Sequence, residues 1–371
     1  ALCQDILQRF PLEAGLHPGF TVWEDDLSAR ARERALLAAR RAEPEAAATL
    51  ALAKEDGPRA ERIDELLKHG AELGRPDMDA GAVIARMHAR LGVAPEDTQA
   101  SVTDAAAAML DREALRGVCD VLLAAGSSTD KKIASGLAYA ERAPDPEGLY
   151  QRLLGTLFTG KGEVGKPAYS QEARRHPLVI AQLGAEKGAA GALHAWVISL
   201  RDRRRAVETA RLSGALIRLG LAAHAAYAAE KTRLGALDFE DLIQRATDLL
   251  TAGDGAARWV LYKLDQGLEH ILVDEAQDTS PRQWDLLKPL IAEMQAGEGA
   301  HGTDRTLFVV GDEKQSIFSF QGADPEKFLA EKDAFAAADD GRRALPVLAT
   351  SYRSTSQVLS VVDAVWAADG R

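Results

Sequence analysis

The sequence predicts an α/β protein in which part of a parallel sheet with flanking helices stands beside a large all-helical domain. Two short apolar runs, residues 271–273 and 306–310, predict the sheet, because each ends in polar residues and lies between helical patterns. Buried strands that alternate with helices are typical of parallel sheets. Residues 1–235 show no strand-like alternation of useful length, which predicts a helical domain there.

Composition and charge limit the possible functions. A chain of 371 residues is long enough for two or three domains. Its net charge of −11 argues against a surface that is positive throughout, but a local basic groove for nucleic acid is compatible with it. Cys3 and Cys119 form no Cys-x-x-Cys, which argues against metal clusters and disulfides and favours the reducing cytoplasm. No apolar run approaches the roughly 20 residues of a membrane span, so we expect no membrane.

In the first half we expect helices that are separated by polar, Gly or Pro breaks. The apolar residues among positions 2–10 recur at helical spacing, with no initiator Met and no basic signal sequence before them. We therefore expect the chain to begin inside a helix, as an internal fragment of a longer protein. Apolar residues between positions 104 and 125 follow one helical stripe, with Gly126 as a C-cap.

The periodicity changes after about residue 237. Asp238 can cap a helix with an apolar face at residues 239–250, and a second helix is predicted around residues 259–264. Ser280 is a predicted N-cap, since Pro281 occupies the first helical position and Gln283 the third. That helix should kink or break near Pro289.

An acid pair, Asp274 and Glu275, directly follows the first predicted strand. Ligands of open α/β sheets bind at the carboxyl ends of strands. An Asp placed there can hold Mg²⁺ and a Glu can polarise a water, as nucleoside triphosphate hydrolysis requires. The pair alone is equally compatible with a solvated strand end.

A second polar block, residues 311–324, follows the second predicted strand. Gln315 offers an amide that can contact both a phosphate oxygen and a water. Phe318 and Phe320 alternate with polar residues, as a surface that stacks on nucleic-acid bases would require. Taken by themselves, the two Phe residues fit an ordinary core better.

Four blocks in one order resemble superfamily 1 DNA helicases of the UvrD/Rep type. They are LDFEDL at 237–242, DEAQDTS at 274–280, GDEKQSIFSFQGAD at 311–324 and SYRS at 351–354. Within that superfamily the wording is most similar to AddA, the helicase–nuclease subunit of bacterial double-strand break repair. The resemblance implies that ATP and Mg²⁺ are the cofactors, that DNA ends are the substrate and that an AddB-like second subunit is the partner.

The resemblance also implies a role for each matching residue. Asp274 would hold Mg²⁺ and Glu275 would be the general base. Gln315 and Arg353 would contact the γ-phosphate, and Gln277 would link the nucleotide site to neighbouring motifs.

A further group would lie beside single-stranded DNA: Phe318, Phe320 and Gln321. Many relatives have Arg at the position of Gln321 and Asn at that of Ser351, so these two local contacts differ here.

The implied fold is a partial RecA-like P-loop NTPase motor domain joined to the helical domain. Residues 1–235 would be an accessory, 1B-like domain, residues 236–344 part of motor domain 1A, and residues 345–371, with a strand at 345–348, the start of motor domain 2A. Basic clusters at 174–176 and 201–205 could meet phosphates, although solvated helix faces explain them better.

The phosphate-binding loop of this family, which ends in Gly-Lys-Thr or Gly-Lys-Ser, does not occur in these 371 residues. Its backbone N–H groups and its Lys bind the β- and γ-phosphates. We therefore expect the chain to be inactive on its own.

We expect a fragment of an ATP-driven DNA helicase or translocase, of 3′–5′ polarity in this family, that acts in double-strand break repair. The alternative is a non-catalytic helical interaction domain with a vestigial ATPase remnant. Another Walker B ATPase, such as a transporter or clamp-loader subunit, is disfavoured because those families lack GDEKQS and SYRS in this order.

Overall fold

A computed structural model describes most of the chain. The described residues are 1–52, 63, 67, 79–158, 170, 173–184, 191–296, 305–316, 324–337 and 350–368. The chain divides into two compact units, residues 19–240 and residues 1–18 together with 241–371. Assignment of the three predicted domains stays a prediction, because compactness alone does not identify a helicase domain.

The unit of residues 19–240 is helical in the part that the structure describes. Its helices there are α2 (Asp25–Ala42), α3 (Pro44–Leu52), α4 (Ala80–Leu91), α5 (Gln99–Ala108), α6 (Arg112–Ala125), α7 (Ser128–Glu141), α8 (Pro146–Leu157), α9 (Pro177–Leu183) and α10 (Ala192–Leu234). The central element is α10, which is 43 residues long and contacts α2, α3, α4 and α5. A short parallel pair, β1 (Thr21–Val22) with β2 (Ala236–Leu237), flanks it in sequence.

Helix α10 is longer and more apolar than we expected from the sequence. Among the described helices it is the one whose length and composition would allow it to cross a membrane. Its buried residues, including Leu193, Val197 and Leu200, belong to the main core of the helical unit. Because central core helices pass the same test of length and composition, this is weak evidence for a membrane span.

The single helix expected over residues 104–125 is wrong, since two helices cover this stretch. Helix α5 ends at Ala108, and Met109 is 85% exposed. Asp111 then caps α6, because its side chain accepts a hydrogen bond of 2.9 Å from the N–H of Ala114. The predicted C-cap is confirmed, since Gly126 has a φ of +79°.

The second unit combines the start of the chain with its later part. Its described helices are α1 (Leu2–Arg9), α11 (Phe239–Thr251, which begins in the first unit), α12 (Gly255–Asp265), α13 (Pro281–Ala296), α14 (Pro325–Ala337) and α15 (Ser356–Ala368). Ile6, Leu7 and Phe10 are buried, as the helical spacing predicted. The Phe10 ring meets the Trp259 ring edge-on at 5.5 Å between centroids.

Two strands of this unit form the predicted parallel pair. Strand β3 (His270–Val273) pairs with β4 (Thr306–Val309), with Ile271 opposite Leu307 and Val273 opposite Val309. Ile271 and Val273 are buried, while Leu272 is 69% exposed. The strand expected at residues 345–348 lies outside the described residues.

The start of α13 is the capping box that the sequence predicted. The N–H of Ser280 donates to Gln283 Oε1 at 2.8 Å, and the N–H of Gln283 donates to Ser280 Oγ at 3.3 Å. The helix continues through Pro289, so it does not break there. In α11 the expected apolar face is only partly correct, because Leu242, Ala246, Leu249 and Leu250 are buried but Phe239 is 57% exposed.

Candidate functional site

The acid pair lies at the carboxyl end of β3. Asp274 and Glu275 are both exposed, and Asp274 Oδ1 accepts a hydrogen bond of 3.0 Å from the N–H of Glu275. Glu275 adopts the left-handed conformation, with φ 49° and ψ 46°, and is the one described non-glycine residue with a positive φ. Strain of this kind collects at functional sites, because the surrounding structure must hold it in place. The backbone here therefore directs the Glu275 side chain away from an ordinary strand path.

Gln277 joins the acid pair to the loop after β4. Its side chain is 1% exposed. The amide nitrogen donates to Glu275 Oε2 at 2.7 Å, and the amide oxygen accepts from the N–H of Asp312 at 2.9 Å. A single buried amide thus positions the Glu275 carboxylate relative to the second loop.

Backbone hydrogen bonds hold the two loops side by side. The N–H of Val310 donates to the carbonyl of Val273, and the N–H of Ala276 donates to the carbonyl of Val310, both at 2.8 Å. Gly311 lies at the closest approach. A Cβ at this position would be 2.8 Å from Phe328 Cζ and 2.9 Å from Gln277 Oε1. Glycine is therefore required by space, as the sequence analysis expected of a strand end with closely packed backbone.

Asp312 organises the short helical turn that carries Gln315. Its Oδ1 accepts from the N–H of Lys314 at 3.0 Å, and its Oδ2 accepts from Gln315 Nε2 at 2.8 Å. The Gln315 amide, followed by the Lys314 N–H, holds the pKa of Asp312 below its usual value. Asp312 was not among the predicted site residues, although an acid directly after a strand was the same signal that selected Asp274.

Other predicted residues are not brought together with these. Arg353 is exposed and lies beside Tyr352, which is 96% exposed. Among the described residues it makes no hydrogen bond or ion pair with Asp274, Glu275 or Gln315. Phe318, Phe320 and Gln321 lie outside the described residues.

The acid pair is compatible with a magnesium ion that is bound mainly through phosphate. No group of three His, Cys, Asp or Glu side chains converges in the described part of the chain. Asp274 is nevertheless an exposed carboxylate at a strand end, and one of its oxygens accepts only the adjacent N–H of Glu275. Mg²⁺ typically takes one or two carboxylates and completes its shell with phosphate oxygens and water. The donor set therefore fits Mg²⁺ that accompanies a nucleotide.

Comparison with known proteins places this strand-end arrangement in a helicase segment. Residues 200–336 match the UvrD/REP helicase N-terminal domain. The match includes the acid pair, Gln277, Asp312 and Gln315. It confirms the resemblance to UvrD/Rep helicases for this segment.

Curated relatives extend the comparison. AddA of Levilactobacillus brevis, an ATP-dependent helicase/nuclease protein, is 36% identical over 163 residues, which are 43% of this chain and 12% of the relative. The protein of the same name from Staphylococcus aureus (strain bovine RF122 / ET3-1) is 34% identical over 130 residues, which are 35% of this chain and 10% of the relative. The likeness to AddA is thus confirmed over the matched stretch. The match spans only about a tenth of the length of these relatives.

Proposed function

We propose that this chain is part of an ATP-dependent DNA helicase of the AddA type, with its hydrolytic residues at the ends of β3 and β4. The observation that carries the proposal is the Gln277 amide, which joins the Glu275 carboxylate to the backbone of Asp312. Two strand-end loops that are coupled through one buried amide suit a site where nucleotide chemistry must move a neighbouring segment. The proposed fold of this part is a RecA-like motor.

Each residue has a defined task in this proposal. Asp274 contributes a carboxylate oxygen to Mg²⁺, which neutralises phosphate charge when it is bound. Glu275 accepts the proton of the attacking water, and Gln277 keeps that carboxylate oriented. Gln315 and Arg353 contact the γ-phosphate, Gln315 from the turn that Asp312 holds and Arg353 from the segment after residue 350.

The proposal extends to the substrate and partners. Phe318, Phe320 and Gln321 lie beside single-stranded DNA, and translocation runs 3′ to 5′ in double-strand break repair. An AddB-like subunit is the partner in the cytoplasm. Residues 1–235 form the accessory domain, residues 236–344 part of the first motor domain and residues 345–371 the start of the second.

The decisive experiment measures DNA-stimulated ATP hydrolysis by the polypeptide encoded by the complete reading frame. Glu275→Gln should lower turnover by about 10²–10⁴-fold, the usual contribution of a general base. Glu269→Gln is the matched control, because Glu269 is exposed just before the same strand begins. Unchanged turnover in Glu275→Gln would contradict the proposal and favour a vestigial ATPase remnant.

The 371-residue chain alone should hydrolyse ATP only at background rate, because it lacks the Gly-Lys-Thr/Ser loop. Hydrolysis above background that is abolished by Glu275→Gln would refute this expectation.

A further inference from the structure

A cavity of about 650 Å³ lies within the helical unit, between one face of α10 and one face of α8. Four lining residues occupy positions i, i+3, i+4 and i+7 of α10, namely Arg201, Arg204, Arg205 and Glu208. The opposite wall is formed by residues 150–155 of α8 and by Phe158, its C-cap. Residues at this spacing share one helix face, so three arginines are directed to one cavity.

Arg204 is fixed by its own partners. Its guanidinium donates to the Glu147 carboxylate and to the Thr103 hydroxyl, both at 2.5 Å, and lies 4.8 Å from the centre of the Tyr150 ring. The side chain is 13% exposed. Arg204 therefore builds the wall of the cavity, and its charge is compensated by Glu147.

Arg201 and Arg205 provide positive charge that is less well compensated. They lie one helical turn apart, an arrangement of like charges that destabilises a helix. Arg205 is exposed and makes no hydrogen bond or ion pair with any described residue. Arg201 pairs with its neighbour Asp202 at 3.1 Å, but Asp202 is 57% exposed, and such surface pairs contribute little.

The acid in the lining does not balance these two arginines. Glu208 accepts hydrogen bonds from Arg211 at 2.8 and 3.0 Å, and these hold the pKa of Glu208 below its usual value. Its charge is thus paired with Arg211, which does not line the cavity. A surplus of positive charge remains in one cavity of a chain whose net charge is −11.

We propose that this cavity binds the phosphate of a nucleotide unit, with Arg201 and Arg205 as phosphate ligands and with Tyr150, Leu154 and Phe158 beside the sugar and base. Guanidinium groups match phosphate in geometry and stay charged at all physiological pH values. The volume lies within the usual range for small-molecule sites, roughly 300–1,000 Å³. All of these residues lie in residues 19–240, so the proposal does not depend on the helicase site at β3 and β4.

The test titrates the 371-residue chain with phosphorylated and unphosphorylated probes by calorimetry at low salt. The probes are thymidine 5′-monophosphate against thymidine, and a thymidine tetranucleotide with and without a 5′-phosphate. Binding that requires the phosphate is expected. Preference for the monophosphate indicates a free nucleotide, and preference for the tetranucleotide indicates a strand end. Binding of neither phosphorylated probe would overturn the proposal.

Arginine variants locate the binding. Arg201→Gln and Arg205→Gln should each weaken it by roughly tenfold or more, as the loss of a charge-assisted hydrogen bond predicts. Arg203→Gln is the matched control, since it removes the same charge from the same helix but Arg203 pairs with Asp97 and does not line the cavity. An equal loss in the control would show general attraction of anions and refute the site.

A steric variant tests the cavity with every charge retained. Gly155 lines the cavity, and no described atom lies within 4 Å of a Cβ built there. Gly155→Phe should therefore fill the space without breaking α8, and binding should be lost while the circular dichroism melt is preserved. Unchanged binding in this variant would overturn the proposal.

Discussion

At the scale of single residues, the buried amide of Gln277 is the most constrained part of the candidate site. It satisfies a backbone N–H of one loop and a carboxylate of the other. A buried polar group that loses its partner costs more than the hydrogen bond itself contributes. The two loops are therefore coupled in stability as well as in position.

Gln277→Leu should destabilise the chain by about 1–3 kcal/mol, because the N–H of Asp312 loses its buried acceptor. Urea denaturation followed by circular dichroism measures the change. Gln357→Leu, at an exposed helical position, is the control and should stay within about 0.5 kcal/mol of the parent. Equal stability of the two variants would contradict the role of the amide.

Gly311→Ala should also destabilise, by roughly 1–3 kcal/mol, because its Cβ would overlap both the Phe328 ring and the Gln277 amide. Gly255→Ala is the matched control, since no described atom lies within 4 Å of its Cβ. The control should be neutral or stabilising in α12. Comparison of the two urea midpoints decides the matter, and an unaffected Gly311→Ala protein would show that the contact yields easily.

The sequence predicts the chemistry of these residues better than their geometry. Motif wording selected Asp274, Glu275 and Gln277, and the strand-end glycine was recognised at Gly311. Neither the left-handed backbone of Glu275 nor the turn built by Asp312 could be predicted, because both depend on contacts between segments more than thirty residues apart.

At the scale of elements, local chemistry set the helix ends and tertiary contacts set the exceptions. The capping box of Ser280 and Gln283 was predictable because it needs only residues within one turn. The break at Met109 was not, because the apolar stripe continues through it and only the Asp111 cap reveals a second helix. The parallel pairing of β3 and β4 followed from apolar runs separated by a helix.

Asp130 in α7 gives an element-scale prediction that depends on pH. It is buried, and its Oδ1 accepts from the N–H of Ser170 at 2.8 Å. Burial raises the pKa of this carboxyl, but hydrogen bonds from Ser170 and then Ser127 outweigh burial and lower it. A lowered folded-state pKa contributes stability above the unfolded value of about 3.9, and this is lost as the pH falls through the folded value.

Asp130→Asn should therefore cost roughly 1 kcal/mol at pH 7, the difference between a charge-assisted and a neutral hydrogen bond. The gap between parent and variant should narrow below about pH 4, where the parent carboxyl becomes protonated. Urea midpoints at several pH values measure the gap, with exposed Asp120→Asn on α6 as the control. A gap that stays constant with pH would show that the charge of Asp130 contributes nothing.

At the scale of the whole molecule, long-range contacts decide the organisation. Residues 1–18 group with residues 241–371, although more than two hundred residues separate them. Neither composition nor periodicity carries information about such contacts, so this grouping could not be predicted. The net charge of −11 is visible in the sequence and acts on the whole molecule, since it opposes the approach of a polyanion.

If DNA binds this acidic chain, local contacts must outweigh its overall charge. We expect the 371-residue chain to bind a fluorescent thymidine oligonucleotide, with affinity that falls as salt rises, because cations at the contact displace condensed counterions. Phe318→Ala and Phe320→Ala should each cost about 1–3 kcal/mol, the usual contribution of a stacked base. Phe239→Ala, at an exposed position in the described part, is the matched control. Absence of binding at low salt, or an equal loss in the control, would show that neither phenylalanine stacks on DNA.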